Sequence, residues 1–403
     1  MLEAAVTTSQ PTSRRIASLL DLAAPVWRFF TQSSYARRIG DPTICDFAVG
    51  NPHEMPLPGF VEALRKWSVP QHPHWYAYPE SKRSAQEIVA ASLRGWRGLP
   101  FEPDDIFMTN GAFAALCVAL TATVDPGDEV IFISPPWFFY EVLIAAAGAA
   151  PVRVKANPET FDLDLDAIAE AITPRTRAVI VNSPNNPTGR IYPPQALEGL
   201  ARILTEASER HGRRIYLLSD EAYSRIIYDG RAYPSPTALY PHSFLLYTYG
   251  KTLLTPGQRL GYIALPPTMP PPAREQLRIA IFMAQIMTGY AFPNALLQHA
   301  LPDLEKLSID IEHLQHKRDW MVGALRAMGY ELHVPEGTFY LLPRAPMPDD
   351  KAFIEMLAEE NVFCLPGAVV EMPGYFRISL TANDGMIERG LPGFKAAVER
   401  ARR

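Results

Sequence analysis

The stretch "IYLLSDEAYSRIIY", residues 215–228, opens with Ile215, Tyr216, Leu217 and Leu218 in succession and closes that run on Ser219 and Asp220. A strand with one wet face alternates apolar with polar residues, and an amphipathic helix repeats its apolar positions every three or four. An unbroken short run suits a strand buried on both faces. A carboxylate at the end of such a strand is costly unless something pairs with it.

The same texture recurs on either side. "EVIFIS" (129–134), "AVIVN" (178–182), "FLLYT" (244–248) and "GYIAL" (261–265) read as further buried strands. Helical patterns such as "AIAEAI" (167–172) and "ALEGLARILTEASERHG" (196–212) stand between them. Strand and helix in alternation predict an α/β fold with a mostly parallel sheet covered on both sides. "FDLDLDAIAEAI" lacks the central glycine and closing glutamate of a calcium loop, so Asp164 or Asp166 reads as a helix cap. After the proline-rich "PPTMPPP" (266–272) the texture changes. A helical region over 273–328, interrupted near Phe292-Pro293, precedes "TFYLLP", "AFIEMLAEENV", "FRISLT" and a C-terminal helix. This predicts a second, smaller α+β unit. The first dozen residues read as loose.

Bulk properties narrow the function. Of 403 residues, 48% are hydrophobic and 20% charged, enough for a substantial core. The net charge of −5 and the lack of a dense Lys/Arg run argue against nucleic acid as a partner. No stretch has the apolar length of a membrane span; "VLIAAAGAAPV" is too short. The N-terminus lacks the basic and apolar blocks of a secretory signal. Cys45, Cys117 and Cys364 are scattered with no CxxC pair, which suits a reducing cytoplasm. His313 and His316 have no third ligand nearby in sequence and read as surface histidines.

Unusual residues gather where the predicted strands end, the edge at which open α/β sheets bind ligands. "FMTNGAFAAL" (107–116) ends a strand and opens a helix at Gly111, a turn that can offer free N–H groups to an anion, although most such turns bind nothing. "SPPWFFY" (134–140) carries Trp137, which could stack on a flat heterocycle or simply fill core. "VNSPNNPTGRIY" (181–192) is a rigid turn that can aim the Asn186 amide. Asp220 is either a helix cap or a site carboxylate, with Tyr223 three residues on. "YTYGKTLLTPGQRLGY" (247–262) places Lys251 at a strand mouth, where desolvation would lower its proton affinity and make it nucleophilic, and Arg259 eight residues later with a fork suited to phosphate. An anion nest, an aromatic face, an amide, a carboxylate, a phenol, an amine and a guanidinium together fit pyridoxal 5'-phosphate, a phosphorylated aromatic aldehyde that lysine binds as a Schiff base.

"SPNNPTG", "SDEAY" and the spacing of lysine and arginine in "GKTLLTPGQRLGY" resemble the class I/II aminotransferase family of fold-type I pyridoxal-phosphate enzymes, over nearly the whole chain. The resemblance implies a mostly parallel large domain over 48–292 and a small domain from 1–47 and 293–403. It implies Lys251 as the Schiff-base lysine and proton shuttle, Asp220 on the pyridine nitrogen, and Asn186 and Tyr223 on the phenolic oxygen. Trp137 would stack on the ring, and Gly111, Ala112, Thr248 and Arg259 would grip the phosphate. Arg377 in "YFRISLT" would take the substrate α-carboxylate, and "AVGNP" (48–52), with Gly50, would close over the substrate. In "WYAYPES", Tyr76 or Tyr78 would reach the cofactor phosphate of the other subunit in a homodimer with shared active sites. Two departures stand out. Many relatives have Ser-x-Ser before the lysine, where Thr248-Tyr249-Gly250 stands here, and "PESKRSAQEIV" lacks a glycine and a Leu-Arg that relatives often carry. The implied reaction moves an amino group from an L-amino acid to a 2-oxo acid, and no second cation for a dicarboxylate is evident. The apolar "IFMAQIMTGYAFPN" (281–294) and "PVWRFF" (25–30) point to a neutral, aromatic or bulky donor, unless both are core and dimer contact. A lyase, cyclase or amino-acid oxidase on the same scaffold is the alternative, with Gly250 as its sequence hint.

Overall fold

The computed structural model describes residues 12–403; the segment expected to be loose lies almost entirely outside them. Seven strands form the main sheet: β1 (Ile106–Thr109), β2 (Glu129–Ser134), β3 (Ala150–Lys155), β4 (Thr176–Asn182), β5 (Tyr216–Asp220), β6 (Ser243–Thr248) and β7 (Gly261–Ala264). Their order is β1-β7-β6-β5-β4-β2-β3. Neighbours run parallel except at β7, which is antiparallel to both β6 and β1.

The exception has a local cause. A parallel crossover needs a covering helix, and the link from β6 to β7 holds only the turn Tyr249–Thr252 and a 3₁₀ turn at Pro256–Gln258. The chain therefore doubles back at the same sheet edge. Strand β3 went unread in the sequence because it lies at the outer edge, where only Val154 is buried, so no continuous apolar run marks it.

Burial on both faces follows from the side-chain alternation of a strand. Val130, Phe132, Ala178 and Ile180 face one layer, which holds residues of the helices Gly111–Thr123 and Pro271–Met287. Their neighbours Ile131, Ile133, Val179 and Val181 face the opposite layer, with Ile168, Leu197, Leu200 and Leu204. Asp164 caps its helix by accepting from the Ala167 N–H at 3.0 Å, and Gly212 ends Pro194–His211 in a left-handed conformation, φ +59°.

The C-terminal part builds an antiparallel three-stranded sheet from Leu365–Pro366, Phe376–Ser379 and Tyr340–Leu341. Cys45–Asp46 pairs in parallel with Val362–Phe363. Phe353, Phe376 and Phe394 centre its core. The helical region 273–328 is three helices, Pro271–Met287, Ala295–Leu304 and Ile311–Ala327. The middle one packs Leu297, Ala300 and Leu301 against Phe60, Ala63 and Val89 beside the main sheet. His313 and His316 are exposed, His313 lying 3.3 Å from Asp384. Among the described residues, no helix is long and apolar enough to cross a membrane.

Candidate active site

A cavity opens at the carboxyl edge of the parallel strands, and its wall includes Ala112, Trp137, Asn186, Asp220, Tyr223, Thr248, Lys251 and Arg259. Strands β4, β5 and β6 end on Asn182, Asp220 and Thr248, so adjacent strands deliver an amide, a carboxylate and a hydroxyl to one rim. The Thr248 hydroxyl accepts from the Gly250 N–H and starts the helical turn that carries Lys251. Lys251 is half-buried rather than fully desolvated, its ammonium 5.4 Å from the Tyr223 ring centre and 5.7 Å from that of Phe339.

Asp220 is buried and accepts the Tyr140 O–H at 2.6 Å and the Ala222 N–H at 3.2 Å. Burial pushes its proton affinity above the usual carboxylate range, against the downward pull of Tyr140, the Ala222 N–H and Lys251. Burial also holds the Tyr140 and Tyr223 phenols well above the ordinary tyrosine value. Asn182 tightens the corner: it donates to the Asp220 carbonyl at 2.9 Å and accepts the Asn186 N–H at 2.7 Å.

At the other end, Gly111 opens its helix with φ +83°. A Cβ there would stand 3.0 Å from Arg259 Nη2 and 3.2 Å from Thr248 Oγ1, so glycine is required on conformation as well as on space. The Arg259 guanidinium and the first N–H groups of the helix thus converge around Gly111, a donor set suited to a phosphate dianion, with the Thr248 hydroxyl beside them donating to the Leu260 carbonyl at 3.2 Å. With Asp220 at the far end, Asn186 and Tyr223 along one side and Trp137 on the wall, the residues fit pyridoxal phosphate.

Gly250, the departure before the lysine, has a packing reason. A Cβ on it would meet the Pro256 Cα at 3.0 Å, so its absence lets the Pro256–Gln258 turn, and Arg259 after it, close on the lysine turn. The hint toward other chemistry therefore loses its force.

Arg377, also buried, donates to Asn186 Oδ1 at 3.0 Å and to the Ala48 carbonyl at 3.1 Å. It thereby ties the small sheet to the 48–52 segment and to the cavity wall. Gly50 does not line the cavity; it packs against Phe339 and Tyr340, where any side chain would collide. Tyr76 and Tyr78 stand outside the cavity, the first half-exposed and the second fully exposed.

Several residues escaped the sequence reading, Asn182 and Leu116 on the cavity wall among them. Tyr140 was within the quoted "SPPWFFY", but nothing local shows that the strand-to-helix turn aims it at Asp220. Phe113 and Tyr340 reach the site through a helix face and a distant strand, and no motif marks either.

The sequence profile of the family Aminotransferase class I and II matches residues 42–392. The aspartate/prephenate aminotransferase of Thermus thermophilus is 32% identical over 352 residues, covering 85% of this chain and 88% of that protein. The aspartate aminotransferase of Thermotoga maritima is 31% identical over 315 residues, covering 76% and 79%. Among solved structures, an aminotransferase from Eubacterium rectale superposes with a TM-score of 0.85 at 30% identity, covering 98% of this chain and 97% of that one. Thermus thermophilus aspartate aminotransferase with maleate gives 0.79 at 28% identity, covering 96% and 100%.

Proposed function

The chain belongs to the class I and II aminotransferases, and on that premise we propose that it transfers the amino group of a neutral, aromatic or bulky L-amino acid to a 2-oxo acid, using the cavity around Lys251. It is an enzyme of fold-type I, a pyridoxal-phosphate-dependent transaminase. When bound, the cofactor of this family accepts the substrate amino group and stores the electron pair left by the departing α-proton.

The chain's own residues would divide the work. Asp220, ionised, would keep the ring nitrogen protonated, held in place by Tyr140. Asn186 and Tyr223 would hold the phenolic oxygen. Trp137 would cover the ring, and Gly111, Ala112, Thr248 and Arg259 would bind the phosphate. Lys251 Nζ would take the proton from the substrate Cα and hold it for return. Arg377 would orient the substrate by its α-carboxylate. The observation that carries this reading is the convergence of Lys251, the buried Asp220 and the Arg259–Gly111 cradle on one cavity.

The substrate class rests on a count of cations. Among the described residues of one subunit, Lys251 and Arg259 are the cations on the cavity wall, with Arg377 beside it, and each already has a partner in the reading above. A side-chain carboxylate would enter against Phe113, Leu116 and Trp137 without a counter-charge, at considerable cost. This separates the proposal from the aspartate named for its relatives. The same reading includes a homodimer, with Tyr76 or Tyr78 reaching the partner's cofactor phosphate, and a division of the chain into 48–292 and 1–47 with 293–403. The packing of Ala295–Leu304 beside the main sheet favours moving that second boundary past Leu304. The three free cysteines suit a reducing compartment.

Borohydride reduction of the loaded enzyme, followed by peptide mapping, should mark Lys251. Marking elsewhere, or no marking, would sink the assignment. A panel of amino donors should then give 2-oxo acid and new amino acid with aromatic and bulky neutral substrates; strict preference for aspartate would remove the proposed substrate class.

A further inference from the structure

Two buried hydrogen-bond donors in the site have no acceptor among the described residues. Arg377 is 3% exposed and engages Asn186 and Ala48 through its two terminal nitrogens, while its Nε has no partner. Tyr340 is likewise 3% exposed. Its oxygen accepts the Tyr223 O–H at 3.5 Å, and its own O–H has no acceptor among the described residues. Donors this deeply buried are rarely left unmade, because each lost bond costs free energy.

The two donors are neighbours by construction. Tyr340 and Arg377 lie on adjacent antiparallel strands, with Ser379 opposite Tyr340. The Arg377 guanidinium carbon sits 4.1 Å from the Tyr340 ring centre. On the far side, Gly50 makes room for the phenol: a Cβ there would lie 2.5 Å from the Tyr340 oxygen. Burial alone would raise the Tyr340 proton affinity, but the charges of Arg377 and Lys251 outweigh it and pull it below the ordinary value. Such a phenol is a strong hydrogen-bond donor toward an anion.

We propose that the Tyr340 hydroxyl is a second donor to the substrate α-carboxylate, beside Arg377, in a place that Gly50 keeps open for it. This rests on the reading of Arg377 given above and adds a residue to it. The carboxylate then satisfies both orphaned donors at once, and Tyr340 links the carboxylate site to Tyr223 and so to the cofactor's phenolic oxygen. Gly50 acts here through its missing side chain.

Calorimetric titration of the loaded enzyme with 3-phenylpropionate, a carboxylate without an amine, tests this apart from turnover. The uncharged 3-phenylpropanamide is the control. Tyr340→Phe keeps the ring under Arg377 and removes only the hydroxyl. It should weaken carboxylate binding by about tenfold to a hundredfold, the range for a bond to a charged group, and leave amide binding as it was. Gly50→Ala, which keeps the hydroxyl but displaces it, should weaken the carboxylate in the same direction. Equal carboxylate affinity in wild type and Tyr340→Phe overturns the proposal. So does a shift in the pH midpoint of the visible band without a change in carboxylate affinity, since the hydroxyl would then serve the cofactor through Tyr223. If the wild type itself fails to bind the carboxylate, the Arg377 reading falls too, whereas loss of the effect in the variants alone leaves that reading standing.

Discussion

The Tyr140 phenol donates a 2.6 Å hydrogen bond to the Asp220 carboxylate, and both groups are buried. Burial favours the neutral acid, and the phenol is the largest counterweight that keeps the carboxylate ionised. Tyr140→Phe removes the counterweight and leaves the ring. The Asp220 proton affinity should rise further, so the acid limb of the rate profile moves to higher pH and the rate at neutral pH falls by about tenfold. A kcat–pH profile of both proteins checks this; coincident acid limbs would show that Tyr140 does not tune Asp220.

Asp220 also carries a stability cost, which a protonated ring nitrogen beside it would relieve. Its folded proton affinity lies above the unfolded one. Its favourable contribution is therefore complete below the ordinary carboxylate range and is lost as pH rises through the elevated folded value. In cofactor-free protein near neutrality the buried charge is a burden. Asp220→Asn should raise unfolding free energy there by about 1 kcal/mol or more, with the gain vanishing in acid, while abolishing transamination. Urea titrations of the cofactor-free proteins at neutral and acid pH measure it, and a destabilised Asp220→Asn protein at neutrality would refute it.

The sheet was legible because strands buried on both faces leave unbroken apolar runs: Glu129–Ser134 and Ser243–Thr248 appear in the sequence almost as they fold. The edge strand Ala150–Lys155 was not, since an edge buries too little to leave that mark. Residues carried at strand ends, such as Asp220, Thr248 and Lys251, were legible for the same reason: each interrupts an apolar run with a group the core would not otherwise keep. Tyr140 and Tyr340 were not, because their role depends on which distant groups they meet. Tyr140 meets Asp220 across 80 positions, and Tyr340 meets Tyr223 across 117. The antiparallel direction of Gly261–Ala264 goes with a connection that holds no covering helix, a feature that the apolar patterning of the strands does not record.

Gly250 gives a prediction that runs against the family pattern. The resemblance reads Ser-x-Ser before the lysine, so Gly250→Ser looks restorative. Here its Cβ would press on the Pro256 Cα at 3.0 Å, backbone against side chain, in the turn that leads to Arg259. Arg259 already holds a left-handed conformation, φ +48°, and its Nη1 donates to the Pro256 carbonyl at 2.7 Å, so displacement of the turn carries the guanidinium with it. The substitution should cost about 1–3 kcal/mol of stability and weaken pyridoxal phosphate binding. Thermal unfolding and a cofactor titration followed by protein fluorescence are the measurements; unchanged affinity would show that the turn has room to give.

Beside the site, Glu221 and Arg97 form a buried ion pair, Nη2 to Oε2 at 2.6 Å, with side-chain exposures of 0% and 7%. Glu221 directly follows Asp220, and it also accepts from Ser219 at 3.2 Å and from Ser235 at 2.5 Å. Arg97 has little else: its Nε is unpartnered, and its guanidinium rests 4.6 Å from the Tyr233 ring centre. Glu221→Gln preserves the shape but strands a buried cation, which should cost about 3 kcal/mol or more. Pairing it with Arg97→Met removes the stranded charge and should recover most of that loss, because the desolvation penalty disappears along with the attraction. Urea unfolding of the wild type, both single variants and the double variant closes the cycle. Additive losses would mean that the two residues do not act as a pair, and that the backbone behind Asp220 is held by its strand pairing and the Glu221 N–H to Leu246 carbonyl bond at 2.9 Å without help from Arg97.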